Sequence, residues 1–251
     1  MQREIILAGG MRTPFGDFGK SLKDTPLADL GIYVTKVCLD KAGPKAGQVD
    51  QEGYLAARYI AIESGLPVES ATINVSRTCS SGSQGIITAT KQILSGHSEV
   101  AVADGGENSS RAHFAVTTGR WGHKRGPQTM VDTLDWAYCD PFRLQLMGET
   151  AKKLAEDNQY QRALMDGYAL TSQKRAGAAR DLLSGHITPI EVRERKTTRI
   201  MVEDEYPRPQ VTLEKLSGMQ HLVESGQDKA VISMCMGAGQ GLAMLIERVR
   251  H

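Results

Sequence analysis

The interpretation of the chain starts from Asn74-Val75-Ser76-Arg77-Thr78-Cys79-Ser80-Ser81-Gly82-Ser83-Gln84-Gly85. Residues 70–75 alternate in polarity and carry β-branched side chains, a pattern typical of a short strand. Residues 86–94 predict a helix that ends at Ser95-Gly96. Cys79 is therefore predicted to lie in a turn that joins a strand to a helix.

The predicted position of Cys79 suits a reactive thiol. A helix N-terminus offers unpaired backbone N–H groups and the positive end of the helix dipole, and both favour the thiolate. Gly82 and Gly85 leave this turn without large side chains. A small buried core cysteine is the alternative interpretation. Because nucleophiles are often carried on strand-to-helix turns, Cys79 is a candidate nucleophile.

The composition is that of an ordinary globular protein. The 251 residues can form one large domain or two small ones, with 40% hydrophobic and 24% charged residues. A formal net charge of +1 gives no reason to expect nucleic acid or an acidic membrane as the main partner.

The spacing of the cysteines and the hydropathy argue against further classes of protein. Wide spacing and the lack of a CxxC pair argue against a disulfide framework or a zinc site for the four cysteines, Cys38, Cys79, Cys139 and Cys235. The sequence contains no apolar run long enough to span a bilayer. Residues 1–4 lead directly into a predicted strand, so we expect a cytoplasmic protein without a targeting peptide.

Strands and helices alternate in the first part of the chain. Strands are predicted at residues 4–9, 70–75 and 99–103. Between them, helices are predicted at 25–41, 53–64 and 86–94. This order predicts an α/β fold with right-handed crossovers and a largely parallel sheet.

The later part has a different pattern. Residues 110–218 are more polar and include two predicted helices, at 147–157 and 162–183. A strand is predicted at 231–234, whereas a helix from residue 219 and a strand at 241–247 are expected only from the family resemblance given below.

The segment around Cys79 resembles the Asn-x-x-x-Cys-x-Ser-Gly nucleophile segment of the thiolase family. Four more segments resemble the family in the same order: Arg12-Thr13-Pro14-Phe15-Gly16, Gly105-Gly106-Glu107-Asn108-Ser109-Ser110, Met147-Gly148-Glu149-Thr150-Ala151 and Cys235-Met236-Gly237-Ala238-Gly239-Gln240-Gly241. Together the five segments cover nearly the whole chain.

The resemblance implies a thiolase-like α/β fold, with mixed, mostly parallel sheets, helices on both faces and an inserted helical loop domain. Residues 1–109 would form the half-domain that carries the nucleophile. Residues 110–218 would form the loop domain that binds coenzyme A, and residues 219–251 a remnant of the C-terminal half-domain.

Two segments of the family pattern are missing. A strand and a Gly-Asn turn are absent after Val49-Asp50. After residues 211–216 the family's Gly-Asn-Ala-Ser, Asn-Glu-Ala-Phe and Gly-His-Pro segments are absent. None of the six histidines lies in a Gly-His-Pro context: His97, His113, His123, His186, His221 and His251. Either the sequence is part of a full-length enzyme, or the chain is a shortened relative; long exposed sheet edges favour the former.

The resemblance also implies roles for individual residues. Cys79 would take the acyl group from a coenzyme A thioester, and Cys235 would serve as the base in carbon–carbon bond formation. The backbone N–H groups of Cys79 and Gly237 would form an oxyanion hole. Met147 would be a wall of the substrate pocket, and Arg208 would lie near the nucleotide.

The sequence thus predicts an acetyl-CoA acetyltransferase that uses coenzyme A thioesters as substrates, without a permanently bound cofactor or a metal. The resemblance implies a homodimer or homotetramer. Three alternatives stay open: a 3-ketoacyl-CoA thiolase of longer chains, a catalytically silent thiolase-like subunit that binds CoA or scaffolds a partner, and a ketoacyl-synthase relative. The second cysteine argues against the last two, whereas the missing histidine favours the silent subunit.

Overall fold

The computed structural model describes residues 5–42, 56–122, 124–194 and 197–219. Its helices are α1 (Leu27–Ala42), α2 (Ala56–Glu63), α3 (Ser81–Leu94), α4 (Thr133–Tyr138), α5 (Met147–Asp157), α6 (Arg162–Ala178), α7 (Arg180–Ser184) and α8 (Leu213–Ser217). Its strands are β1 (Phe114–Ala115), β2 (Val131–Asp132), β3 (Cys139–Asp140), β4 (Gln145–Leu146), β5 (Ile190–Glu194) and β6 (Thr197–Met201).

Several predictions lie outside the described residues. They are the roles of Cys235 and Gly237, the strands at 231–234 and 241–247, the helix beyond Met219, and the missing strand after Val49-Asp50.

Two predicted helices are confirmed nearly to the residue. Helix α1 follows the predicted Thr25-Pro26 start, and α5 has the predicted bounds. The first turn of α5 is stabilised because the Leu146 N–H donates to Glu149 Oε2 at 2.8 Å. Within the described ranges, no helix is long and apolar enough to cross a membrane.

The bounds of two other helices were predicted wrongly. Helix α3 begins at Ser81 and not at residue 86, so Gly82 and Gly85 lie in the helix and not in the turn before it. The predicted helix at 162–183 is divided into α6 and α7 at Ala179. Pro209 packs on Gly177 just before this break, so closely that a Cβ at Gly177 would lie 2.5 Å from the Pro209 Cβ. The Gly177–Pro209 contact joins residues that are 32 positions apart, so no local pattern predicts it.

The predicted parallel sheet is not found among the described residues. Among the described residues, 5–9, 70–75 and 99–103 form no strand, and the sheets are three antiparallel pairs, β1–β2, β3–β4 and β5–β6. A strand exists only where neighbouring strands satisfy its N–H and C=O groups, and alternation of side chains does not supply that partner. Apolar side chains of these segments remain exposed, with Ile6 at 69% and Ile73 at 45%.

The core consists of two clusters on opposite sides of α1. In one, Leu30 of α1 packs with Leu22 and with the β5–β6 hairpin, through Ile190, Val192 and Met201. In the other, Ile60 and Ala61 of α2 pack with Leu66 and the partly buried Ala28, Ile32, Leu39 and Val102. Helix α1 therefore joins the N-terminal segment to the 187–201 region.

Candidate active site

The turn that carries Cys79 has an unusual backbone. Thr78 has a φ of 49°, in the left-handed region that β-branched residues rarely adopt. The Ser80 N–H donates to the Arg77 carbonyl and the Ser81 N–H to the Thr78 carbonyl, each at 3.1 Å. Cys79 follows directly, and it is exposed with a free thiol. The sequence predicted the position of Cys79 at the start of a helix, but not this strained turn.

The Ser81 side chain bridges the two sides of the same turn. Its Oγ accepts from the Arg77 N–H at 2.9 Å and donates to the Thr78 carbonyl at 2.7 Å. Arg77 is held in addition by its guanidinium, which donates to Gln84 Oε1 at 2.9 Å. These contacts join the residues before Cys79 to the first turn of α3.

Cys79 lies directly before the N-terminus of α3, where backbone N–H groups lack intrahelical acceptors. Among the described residues, the N–H groups of Cys79, Gly82 and Ser83 find no hydrogen-bond acceptor. Free N–H groups at a helix N-terminus can stabilise negative charge on an oxygen. The turn therefore combines an exposed nucleophile with donors suited to an oxyanion.

Helix α3 lies directly on the Gly105 segment. A Cβ at Gly105 would lie 2.8 Å from the Gly82 Cα, and one at Gly85 would lie 3.5 Å from the Asp104 carbonyl oxygen. Only glycine at position 105 allows this approach. Two of the segments that resemble the family are thus packed against each other at the candidate nucleophile.

The Gly105 segment also lines a cavity of about 850 Å³. Asp104 and Gly105 line it, together with the Arg12–Phe18 turn and Tyr206. Met147 lies in its wall, and Cys79 does not. Of the predicted site residues, Met147 is thus placed in the cavity wall, whereas Cys79 is not among the lining residues, although Gly82 of α3 contacts the lining residue Gly105.

The Arg12–Phe18 turn is fixed by two acidic residues distant in sequence. Asp204 accepts two hydrogen bonds from Arg12 and one from the Phe15 N–H. Burial raises the pKa of Asp204, but these hydrogen bonds and the charge of Arg12 outweigh burial and hold the pKa below its ordinary value. Glu205 accepts from the Asp17 N–H at 2.9 Å and from the Ser21 hydroxyl. Sequence analysis did not predict these contacts.

Arg208 takes part in the same network. Its Nη2 donates to Asp17 Oδ2 at 3.2 Å, its Nη1 donates to the Tyr206 carbonyl at 2.9 Å, and its guanidinium lies 5.9 Å from the Tyr206 ring centre. A hydrogen bond from Lys20 and the charges of Lys20 and Arg208 lower the pKa of Asp17 in spite of partial burial. Arg208 is not among the residues that line the cavity, so the predicted nucleotide contact would lie outside it.

The other described cysteines differ from Cys79. Cys38 is half-buried on α1, and burial together with the nearby Asp104 raises the pKa of its thiol. Cys139 is also half-buried. In the part of the chain that the structure describes, no group of three or more His, Cys, Asp or Glu side chains could hold a metal ion. Cys79 is thus the most accessible of the three described thiols.

Comparisons with known proteins agree with the motifs. The model of the thiolase N-terminal domain matches residues 5–226. The chain is 33% identical to the beta-ketothiolase BktB of Cupriavidus necator, over 88% of this chain and 59% of that protein. It is 32% identical to the mitochondrial 3-ketoacyl-CoA thiolase of Bos taurus, over 86% of this chain and 58% of the relative.

Solved structures show the same relationship. The acetyl-CoA acetyltransferase of Bacillus anthracis superposes with a TM-score of 0.79 at 32% identity, covering 86% of this chain and 58% of that one. Human mitochondrial 3-ketoacyl-CoA thiolase in complex with CoA superposes with a TM-score of 0.73 at 34% identity, covering 84% and 56%. The chain spans somewhat more than half the length of these relatives, and it belongs to the thiolase family.

Proposed function

We propose that the protein is a thiolase-type acyltransferase that forms or cleaves 3-ketoacyl-CoA through an acyl intermediate on Cys79. The observation that carries this proposal is the exposed Cys79 thiol directly before the N-terminus of α3, where the N–H groups of Cys79, Gly82 and Ser83 make no backbone hydrogen bond among the described residues. Nucleophilic catalysis on a thioester needs this pair of features, an accessible thiolate and preorganised donors for the oxyanion.

The reaction has two steps. The Cys79 thiolate attacks the thioester carbonyl carbon of an acyl-CoA, the N–H groups stabilise the oxyanion, and the CoA thiolate leaves. A base then removes a proton from the α-carbon of a second acyl-CoA. The resulting carbanion attacks the acyl-cysteine, the new carbon–carbon bond forms, and the Cys79 thiolate is released. Cys235 is the proposed base, and the Gly237 N–H is a proposed second oxyanion donor.

Acetyl-CoA is the proposed substrate, so that two acetyl-CoA give acetoacetyl-CoA and CoA. The solved relative from Bacillus anthracis is an acetyl-CoA acetyltransferase. Coenzyme A would enter only as substrate, with Met147 near the acyl end and Arg208 near the nucleotide. A 3-ketoacyl-CoA thiolase of longer chains is the alternative within the family, since 3-ketoacyl-CoA thiolases are also among the relatives. We propose a homodimer or homotetramer, as the resemblance implies.

Acylation of Cys79 is tested by incubating the protein with acetyl-CoA and mapping the acetyl group by peptide mass spectrometry. The expected result is label on Cys79 in the native protein and none in Cys79→Ala. Cys38 and Cys139 serve as internal controls, because both are less exposed. Label on either of them without label on Cys79 would contradict the proposal.

A silent subunit is the second candidate function, and the absence of a Gly-His-Pro histidine from the sequence favours it. Such a protein would bind CoA without acylation of Cys79. Isothermal titration with CoA, beside the acylation assay, separates the two functions. Binding together with an acetylated Cys79 supports the enzyme, whereas binding with an unmodified Cys79 supports the silent subunit.

A further inference from the structure

We infer that Ser81 is a positioning residue that holds Cys79 in its reactive place. This inference rests on the proposed role of Cys79 as the nucleophile, and it assigns a function to a residue that contacts no substrate in that proposal. It is carried by the two hydrogen bonds of one hydroxyl across the turn that precedes the thiol.

The first step concerns the energy of the turn. A φ of 49° at Thr78 is unfavourable for a β-branched residue, so other contacts must hold it. The Ser81 Oγ accepts from the N–H on one side of Thr78 and donates to the carbonyl of Thr78 itself. The hydroxyl therefore stabilises the unfavourable backbone conformation by accepting one hydrogen bond and donating another.

The second step connects the turn to the thiol. Cys79 lies between Thr78 and the N-cap residue Ser80, so its backbone direction follows from the Thr78 dihedral angles. With the turn fixed, Cys79 stays directly before the N-terminus of α3, where the N–H groups of Gly82 and Ser83 make no backbone hydrogen bond among the described residues. A helix N-terminus generally makes a nearby thiol more reactive. Without the hydroxyl, Thr78 can relax to a negative φ and carry Cys79 away from these donors.

Ser80 provides a matched control in the same turn. It is the N-cap of α3, but its side chain makes no capping hydrogen bond. Ser80→Ala removes one hydroxyl next to Cys79, as Ser81→Ala does, but it removes no capping hydrogen bond. A loss specific to Ser81 therefore reports on the bridge and not on polarity near the thiol.

The experiment measures the rate of iodoacetamide alkylation of Cys79 as a function of pH, by peptide mass spectrometry, with Cys38 as an internal reference. In Ser81→Ala we expect a rate at neutral pH that is lower by about five- to tenfold, which corresponds to the net contribution of about one ordinary hydrogen bond. Ser80→Ala should react like the native protein, and Ser81→Thr, which keeps a hydroxyl, should restore the rate.

A double variant tests the mechanism and guards against misfolding. Asn adopts positive φ more readily than Thr, so Thr78→Asn should recover part of the rate in the Ser81→Ala background. An unchanged rate in Ser81→Ala, an equal loss in Ser80→Ala, or no recovery in the double variant would overturn the inference. Because alkylation needs no acyl transfer, a protein that never forms acyl-Cys79 would refute the proposed function without deciding the role of Ser81.

Discussion

Arg12 and Asp204 lie 192 positions apart and form a two-point ion pair, with Nη1–Oδ1 at 2.6 Å and Nη2–Oδ2 at 2.8 Å. Bidentate pairs of this type are among the stronger polar contacts in proteins. The Asp204 side chain has only 11% of its surface exposed, so solvent screens the pair weakly. The pair fixes the turn that forms one wall of the cavity.

Asp204→Asn should destabilise the protein by about 1.5–3 kcal/mol at neutral pH, the value of hydrogen bonds to charged groups. The measurement is urea unfolding followed by circular dichroism. Glu203→Gln is the control, since Glu203 pairs with Arg180 at the surface with 58% of its side chain exposed and should change stability little. Equal free energies of unfolding for the native protein and Asp204→Asn would show that the pair does not stabilise the fold.

The pH dependence of stability follows from the same carboxylates. The pKa values of Asp17, Asp204 and Glu205 lie below their ordinary values in the folded protein. Their contribution is therefore complete above the unfolded values of about 3.9–4.3 and is lost as the pH falls through the lower folded values. Unfolding midpoints measured from about pH 7 to about pH 3 should fall with pH, and the slope should be smaller in Asp204→Asn. A parallel fall in both proteins would contradict this assignment.

Gly105→Ala should destabilise the protein and slow the reaction of Cys79. The new Cβ would lie 2.8 Å from the Gly82 Cα, so either α3 or the Gly105 segment has to move. Overpacking of this type costs about 1–3 kcal/mol. Gly10→Ala is the control, because a Cβ there meets nothing within 4 Å. Thermal unfolding and Cys79 alkylation measure the two effects, and identical results for both variants would show that the close approach is dispensable.

Arg208→Ala tests the proposed nucleotide end of the site. Loss of the guanidinium should weaken binding of CoA more than binding of N-acetylcysteamine thioesters, which lack the nucleotide. Lys215→Ala is the control for a general loss of positive charge on the same region, since Lys215 is exposed on α8. Titration calorimetry gives both affinities. An equal loss of affinity for CoA and for the short thioester would mean that Arg208 does not contact the nucleotide and acts only through its contact with Asp17.

The helices were the most predictable part of the fold because their signals are local. The Thr25-Pro26 start and the α5 bounds depend on residues within one or two turns. The breaks that were missed depend on distant packing, as where Pro209 meets Gly177. The strands at 4–9, 70–75 and 99–103 were predicted from short apolar runs, alternation and β-branched residues, which describe a face but not a hydrogen-bonding partner.

The candidate site divides in the same way. The sequence predicted Cys79 in a turn between a strand and a helix. The helix is confirmed, although it begins at Ser81 and not at residue 86, whereas residues 70–75 form no strand. The left-handed Thr78 and the two hydrogen bonds of Ser81 depend on side-chain geometry that no composition or spacing specifies. The contacts of Asp204 and Glu205 with the first turn join residues almost 190 positions apart, and no local pattern predicts them.

The two proposed catalytic cysteines can be separated by the step that each one serves. Cys235→Ala should leave acylation of Cys79 intact and abolish condensation. Acylation needs an activated Cys79 and donors for the oxyanion, which lie on the α3 turn. Condensation also needs a proton to be taken from the methyl group of acetyl-CoA, a weak carbon acid, and only a base within hydrogen-bond reach can do this.

Two assays on the same Cys235→Ala protein make the comparison. A burst of CoA release reports acylation of Cys79, and steady-state formation of acetoacetyl-CoA reports condensation. General acid–base catalysis contributes about 10²–10⁴-fold to the rate. We therefore expect a normal burst of CoA release and a steady-state rate that is lower by at least about 10²-fold. Cys139→Ala is the control, because Cys139 has no proposed role in either step. Full turnover in Cys235→Ala would reduce Cys235 to a packing residue, and a burst without turnover in the native protein would mean that the base is not supplied by this chain.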